Sequence, residues 1–241
     1  MTKIKKLNYC LLALIIGCWL ILAISVQGQT PEIDIDLTWS ADTYAPVDYM
    51  GKSLPTKGSS VKVVAVINSL EFNPQELIYK WFLNDHIQKS DSGQNKQVFQ
   101  FNMDKNRSIK QSIKVKIENS EGILLGTSSY LYLKPQSPEI ILETNIFSEN
   151  PNEEYKIPSE QEVKFIAKPY FFNIETIDEL NYVWSLNGKI GSQVNNENPN
   201  FFTLKVGKIE EISKQDLIIQ VENENNPSEE AQSVIKIIFT P

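Results

Sequence analysis

The chain has 241 residues, of which 41% are hydrophobic and 22% charged, proportions that exclude a wholly disordered chain and suffice for two small domains. Both cysteines, Cys10 and Cys18, fall within the first 29 residues, so the rest of the chain holds neither a disulfide framework nor a thiolate metal site. From Thr30 onward 20 basic residues face 30 acidic ones, a net charge of −10 that repels nucleic acid and anionic lipid headgroups.

The first element is apolar. A basic start (residues 2–8) precedes an uncharged run, Tyr9 to Val26. As a helix that run spans roughly 27 Å at about 1.5 Å per residue, close to a bilayer core of about 30 Å. Lys3, Lys5 and Lys6 stay on the cytoplasmic side, which sends the remainder outward. Two readings stand. Val26-Gln27-Gly28 offers a signal-peptide cleavage site, whereas the length of the run favours an uncleaved anchor. Ile15-Ile16-Gly17-Cys18 offers a third, a relaxed lipoprotein box. The expectation is an exported protein, either anchored to the cytoplasmic membrane with its body outside or secreted after cleavage.

Beyond Gly28 the pattern turns to period two. Ile33 to Trp39, Val61 to Ile67 and Ile113 to Ile117 alternate or are β-branched, as strands buried on one face require. Asn, Pro, Gly and Ser cluster between them as turns. Several blocks then recur in order. Pro31-Glu32-Ile33 returns as Pro138-Glu139-Ile140, and Leu54-Pro55-Thr56, then Val61, as Ile157-Pro158-Ser159, then Val163. Tyr79-Lys80-Trp81-Phe82-Leu83-Asn84 returns as Tyr182-Val183-Trp184-Ser185-Leu186-Asn187, and Val115 to Asn119 as Ile219 to Asn223. The offset stays between 102 and 107. The spacing predicts two homologous domains, 30–136 and 137–241, after a leader over 1–29. The connector Lys134-Pro135-Gln136-Ser137-Pro138 has two prolines and predicts an end-to-end pair with restricted hinge motion.

About 100 residues with some seven short strands predicts an all-β fold, two tandem immunoglobulin-like sandwiches after the hydrophobic helix. Trp81 and Trp184 lie in Tyr-x-Trp-x-Leu strands whose Tyr, Trp and Leu share the inner face. Core packing is the reading for both, rather than ligand stacking. Asn187-Gly188 after the second is a type I′ hairpin signal. The Tyr-x-Trp strand with its Asn-Asp or Asn-Gly turn, and the later strand ending Glu-Asn, resemble PKD and related bacterial Ig-like domains, although the Gly-Asp-Gly turn usual there is missing. Asp36 to Trp39, Gly51 to Pro55, Val61 to Ala65 and Pro169 to Phe172 also resemble stretches of a group of exported bacterial proteins with a leader and two such domains. The resemblance implies an extracellular spacer or adhesion role.

No catalytic set stands out. His86, the single histidine, lies in a turn beside Asp85 and reads as solvated. No nucleophile elbow or phosphate-binding glycine loop is present. Glu153-Glu154, Glu210-Glu211 and Glu229-Glu230 are too numerous a kind of pair to mark a glycosidase. Asn195 to Asn198 and Glu222 to Asn226 are oxygen-rich but lack calcium-loop spacing, so no metal and no cofactor are expected. Tyr170-Phe171-Phe172 cannot all face one core in a strand, so at least one is expected on the surface or at the interdomain contact. These three and Trp39, which forms a looser aromatic group with Tyr44 and Tyr49, are the candidate partner-contact residues. The function expected is a non-enzymatic envelope or surface module that spaces or binds another envelope protein. The alternative is a carbohydrate-binding accessory protein that contacts cell-wall glycan through the loop aromatics.

Overall fold

The alternating runs form strands because each has a core for every second side chain. A computed structural model describes residues 33–145, 154–191 and 197–241. The predicted leader lies outside these residues, and no helix among them is long and apolar enough to cross a membrane. In the first domain β1 (Ile35–Ala41), β2 (Ser60–Ile67) and β6 (Val98–Asn102) make one antiparallel layer. The facing layer is built on β3 (Ile78–Leu83) and β7 (Gln111–Glu118). The short β4 (His86–Ile87) and β5 (Gly93–Gln94) flank β3, and β8 (Leu124–Thr127) and β9 (Leu131–Leu133) flank β7. Along β2, Val61, Val63 and Ala65 are buried while Lys62 and Val66 are exposed.

The second domain repeats the plan. One layer is β10 (Glu139–Thr144), β12 (Glu162–Tyr170) and β15 (Phe201–Lys205). The other runs β11 (Glu154–Pro158), β17 (Asn226–Thr240), β16 (Ser213–Asn223), β13 (Leu180–Leu186) and β14 (Lys189–Ile190), with β11 parallel to β17. The first domain keeps a remnant of that parallel pairing as a single bridge from Thr56 to Gln136. Each domain is therefore an immunoglobulin-like sandwich, and each has its own core.

The tryptophans are at the centre of those cores. Trp81 and Trp184 are fully buried. Trp81 stacks on Phe99 with centroids 5.5 Å apart, and Trp184 on Phe202 at 5.3 Å. The indole N–H of Trp81 donates to the Lys96 carbonyl at 2.8 Å, and that of Trp184 to the Pro199 carbonyl at 2.9 Å, fifteen residues onward in both cases. A buried indole needs such an acceptor, and the loop before the stacking phenylalanine supplies it twice. The turn after each Trp strand has two successive positive φ values, 50° and 62° at Asn84-Asp85 and 49° and 76° at Asn187-Gly188. Asn and Gly tolerate that conformation and a hairpin of this hand demands it.

Candidate functional site

The loops that leave the first domain at one end meet the loops at the near end of the second. Between β1 and β2 the chain makes a long excursion, residues 42–59, instead of a tight turn. Tyr44 in this loop exchanges backbone hydrogen bonds with the second domain. Its N–H donates to the Phe172 carbonyl at 2.8 Å, and the Phe171 N–H donates to its carbonyl at 2.7 Å. Phe171 is held at φ 64°, a left-handed conformation uncommon for a bulky residue. That reversal resolves the crowding of three consecutive aromatics. Phe172 enters the core of the second domain, Phe171 is buried at the junction, and Tyr170 is half-buried at its rim.

Tyr49 closes the clasp from above, with edge contacts to Tyr170 at 5.4 Å and to Phe171 at 5.7 Å. Next to it, Asp48 pairs with Lys168 at 2.6 Å, and Lys168 also pairs with Glu143 at 2.7 Å. The hydrogen bond from Lys168 holds the Asp48 carboxyl below the usual carboxylate range, with its own backbone amide adding to the effect. The hydrogen bonds to Asp48 and then Glu143 raise the Lys168 ammonium. Burial raises the phenols of Tyr44 and Tyr170.

A polar latch lies alongside. Glu229 is 6% exposed, and no lysine comes within ion-pair distance of it among the described residues. Neutral donors hold its carboxylate instead. Asn173 gives its backbone N–H at 2.9 Å and its side-chain amide at 2.8 Å to Oε1, which Thr56 Oγ1 also approaches at 3.4 Å, and the Asn223 amide reaches Oε2 at 2.7 Å. The Asn173 amide also lies 3.0 Å from both Thr56 Oγ1 and the Lys57 carbonyl of the first domain. A carboxyl group is tolerated out of water only with this density of hydrogen bonds. The latch forms one wall of an open cleft of about 660 Å³ between the domains.

Between these anchors the loop projects two apolar side chains. Val47 and Met50 are 104% and 97% exposed, although the residues around them are pinned. Trp39 is elsewhere. It lies half-exposed on β1, partly packed on the first core, with the Lys52 ammonium 4.4 Å above its ring. The structure thus joins Tyr170 and Phe171 to Tyr44 and Tyr49, places Phe172 in a core, and leaves Trp39 outside the clasp.

His86 is exposed, with Nδ1 2.7 Å from the Asn84 carbonyl, while Asp85 is held by Tyr130 and Lys114. In Glu222 to Asn226, Asn223 is committed to Glu229 and to the turn amide of Asn225. Among the described residues no three His, Cys, Asp or Glu side chains gather as a metal would need.

Neither the latch nor the Asp48–Lys168 pair has a motif.

No known family model matches the chain, and no curated protein matches it in sequence. Several solved structures are similar in strand arrangement. The three N-terminal domains of the bacteriophage RB49 Highly Immunogenic Outer Capsid protein (Hoc) are 15% identical with a TM-score of 0.46, over 86% of this chain and 59% of that one. This chain therefore covers less than two thirds of that neighbour. The fibronectin(III)-like modules of Clostridium thermocellum CbhA are 12% identical with a TM-score of 0.29, over 84% of this chain and 94% of that one. Drosophila N-cadherin EC1-3 is 11% identical with a TM-score of 0.33, over 84% and 67%.

Proposed function

We propose that this chain is an exported, non-enzymatic envelope protein. Its two sandwiches form a stiff spacer, and its interdomain loop contacts another envelope protein. The observation that supports this reading is the pairing of full exposure with immobilisation at residues 44–52. Val47 and Met50 stand in solvent while Tyr44, Asp48 and Tyr49 are each tied to the second domain. A loop backbone already held in place by its neighbours loses little further entropy on docking, which is the economy of a preformed binding loop. Tyr170 flanks the tips as the rim of the contact. The leader, cleaved or retained, is the export signal in this reading.

The test is capture from detergent-solubilised envelopes with the full-length chain as bait, beside a Val47→Asp/Met50→Asp variant. Enrichment of one protein by the wild type and its loss in the variant, with unchanged melting curves, is the expected result. Equal capture by both chains would remove the loop from the contact, and no enrichment at all would refute the interaction role.

A further inference from the structure

The fold makes the same demands on both repeats, so residues present in one copy and absent from the other are free of those demands. The outer face of the β3–β7–β9 layer in the first domain is such a place. Along β7, Ile113, Val115 and Ile117 face the core, and Lys114 and Lys116 face outward. Phe82 projects from β3 beside them, with the two ammonium groups 5.3 and 5.7 Å from its ring. Tyr130 and Tyr132, 41% and 53% exposed, stack on each other at 5.8 Å. Lys114 lies 4.4 Å from the Tyr130 ring and Lys110 lies 4.1 Å from that of Tyr132. The strand registers place Ser185, Ile218, Gln220, Val234 and Lys236 of the second domain where the first has Phe82, Lys114, Lys116, Tyr130 and Tyr132. The aromatic–lysine array thus belongs to one copy alone.

Charge follows the same division. Residues 30–136 carry 12 basic and 12 acidic side chains, whereas residues 137–241 carry 8 and 18, so the whole charge of −10 belongs to the second domain. Within the neutral first domain, Lys105, Arg107, Lys110, Lys114 and Lys116 follow one another with no acidic residue among them. Lys114 is balanced by Asp85 at 3.2 Å, but Lys110 and Lys116 have no carboxylate within ion-pair distance among the described residues.

From this we infer that the outer β3–β7–β9 face of the first domain binds an anionic sugar polymer. Three features favour that occupant. The surplus cations call for a polyanion. Lys110, drawn off the Tyr132 ring to meet an anion, bares a flat face of negative quadrupole, against which the polarised C–H groups of a pyranose pack and a carboxylate does not. The face is an open sheet surface, suited to an extended repeating chain held by many weak contacts and not to an enclosed small ligand. An acidic polypeptide would match the charge but has no sugar ring to lay on the tyrosines. A neutral glycan would match the rings and leave the lysines without a role.

Affinity electrophoresis of the full-length chain in mild nonionic detergent tests this, with polygalacturonate, polyglutamate or dextran in the gel. Polygalacturonate should retard the wild type in a salt-sensitive way, with dextran inert and polyglutamate much weaker. Lys110→Gln/Lys116→Gln should weaken retardation about tenfold, as loss of two exposed charge contacts implies, and Tyr132→Ala should weaken it without altering its salt dependence. The Val47→Asp/Met50→Asp chain should be retarded like wild type, so this inference and the loop contact fail separately. No retardation, equal retardation of the lysine variant at unchanged melting temperature, or polyglutamate matching polygalacturonate would each overturn it.

Discussion

Tyr79 and Tyr182 occupy equivalent positions in the two repeats, yet only Tyr79 hydrogen-bonds, its hydroxyl donating to the Pro74 carbonyl at 2.9 Å. The Tyr182 hydroxyl is buried and finds no partner among the described residues. Burial pushes the Tyr79 phenol up to about 12 and raises that of Tyr182 as well. Ile177 stands where the first domain has Pro74, and its carbonyl is taken by the Leu180 amide. Tyr79→Phe should therefore cost roughly 1 kcal/mol, while Tyr182→Phe, which removes an unsatisfied group, should be neutral or stabilising. Denaturant unfolding of the two variants, read on each domain's transition, checks the contrast.

Trp184→Ala removes the centre of a core that no disulfide braces. The expected cost is about 3–5 kcal/mol, against a typical reserve of about 5–15 kcal/mol for a domain. Calorimetry should show the second domain's transition largely lost and the first little changed. A near-wild-type thermogram would refute the central role of the residue.

Asn173→Ala withdraws an amide hydrogen bond from the buried Glu229 carboxylate and cuts the latch to Thr56 and Lys57. Leaving a buried acceptor short of donors costs about 1–3 kcal/mol. The Glu229 share of the loss falls within the second domain, where both residues lie, and the Thr56 and Lys57 share falls on the junction. Spin-label distances between the domains should broaden while secondary structure is unchanged.

Acid should loosen the clasp through Asp48. Its carboxyl is depressed chiefly by the Lys168 hydrogen bond, so its contribution is complete above the unfolded value of about 4 and disappears as pH falls through the lower folded value. Interdomain distances should be flat from neutral pH down to the ordinary carboxylate range and widen only below it. Asp48→Asn should remove that component. Loosening between pH 6 and 8 would contradict the assignment.

Much of the fold was legible because its causes are local. Alternation along β2 and β7, and the Asn-Gly turn after Trp184, follow from side-chain period and backbone sterics within a few residues. The recurrence of the Trp strand reported two sandwiches before any contact was known. Tyr170 to Phe172 also announced themselves, since three adjacent aromatics cannot share a face. The sequence did not show that φ 64° at Phe171 turns one ring into the junction and the next into a core.

The chain by itself determined two all-β repeats, their buried tryptophans and the hairpins between strands, because each depends on neighbours in sequence. Tertiary structure alone decided the junction. Thr56 meets Glu229 across 173 positions, and Asp48 meets Lys168 across 120. Thr, Asn and Glu carry no pattern that separates a latch from a solvated loop. Such polar groups acquire a role only when two folded surfaces exclude the water that would otherwise satisfy them.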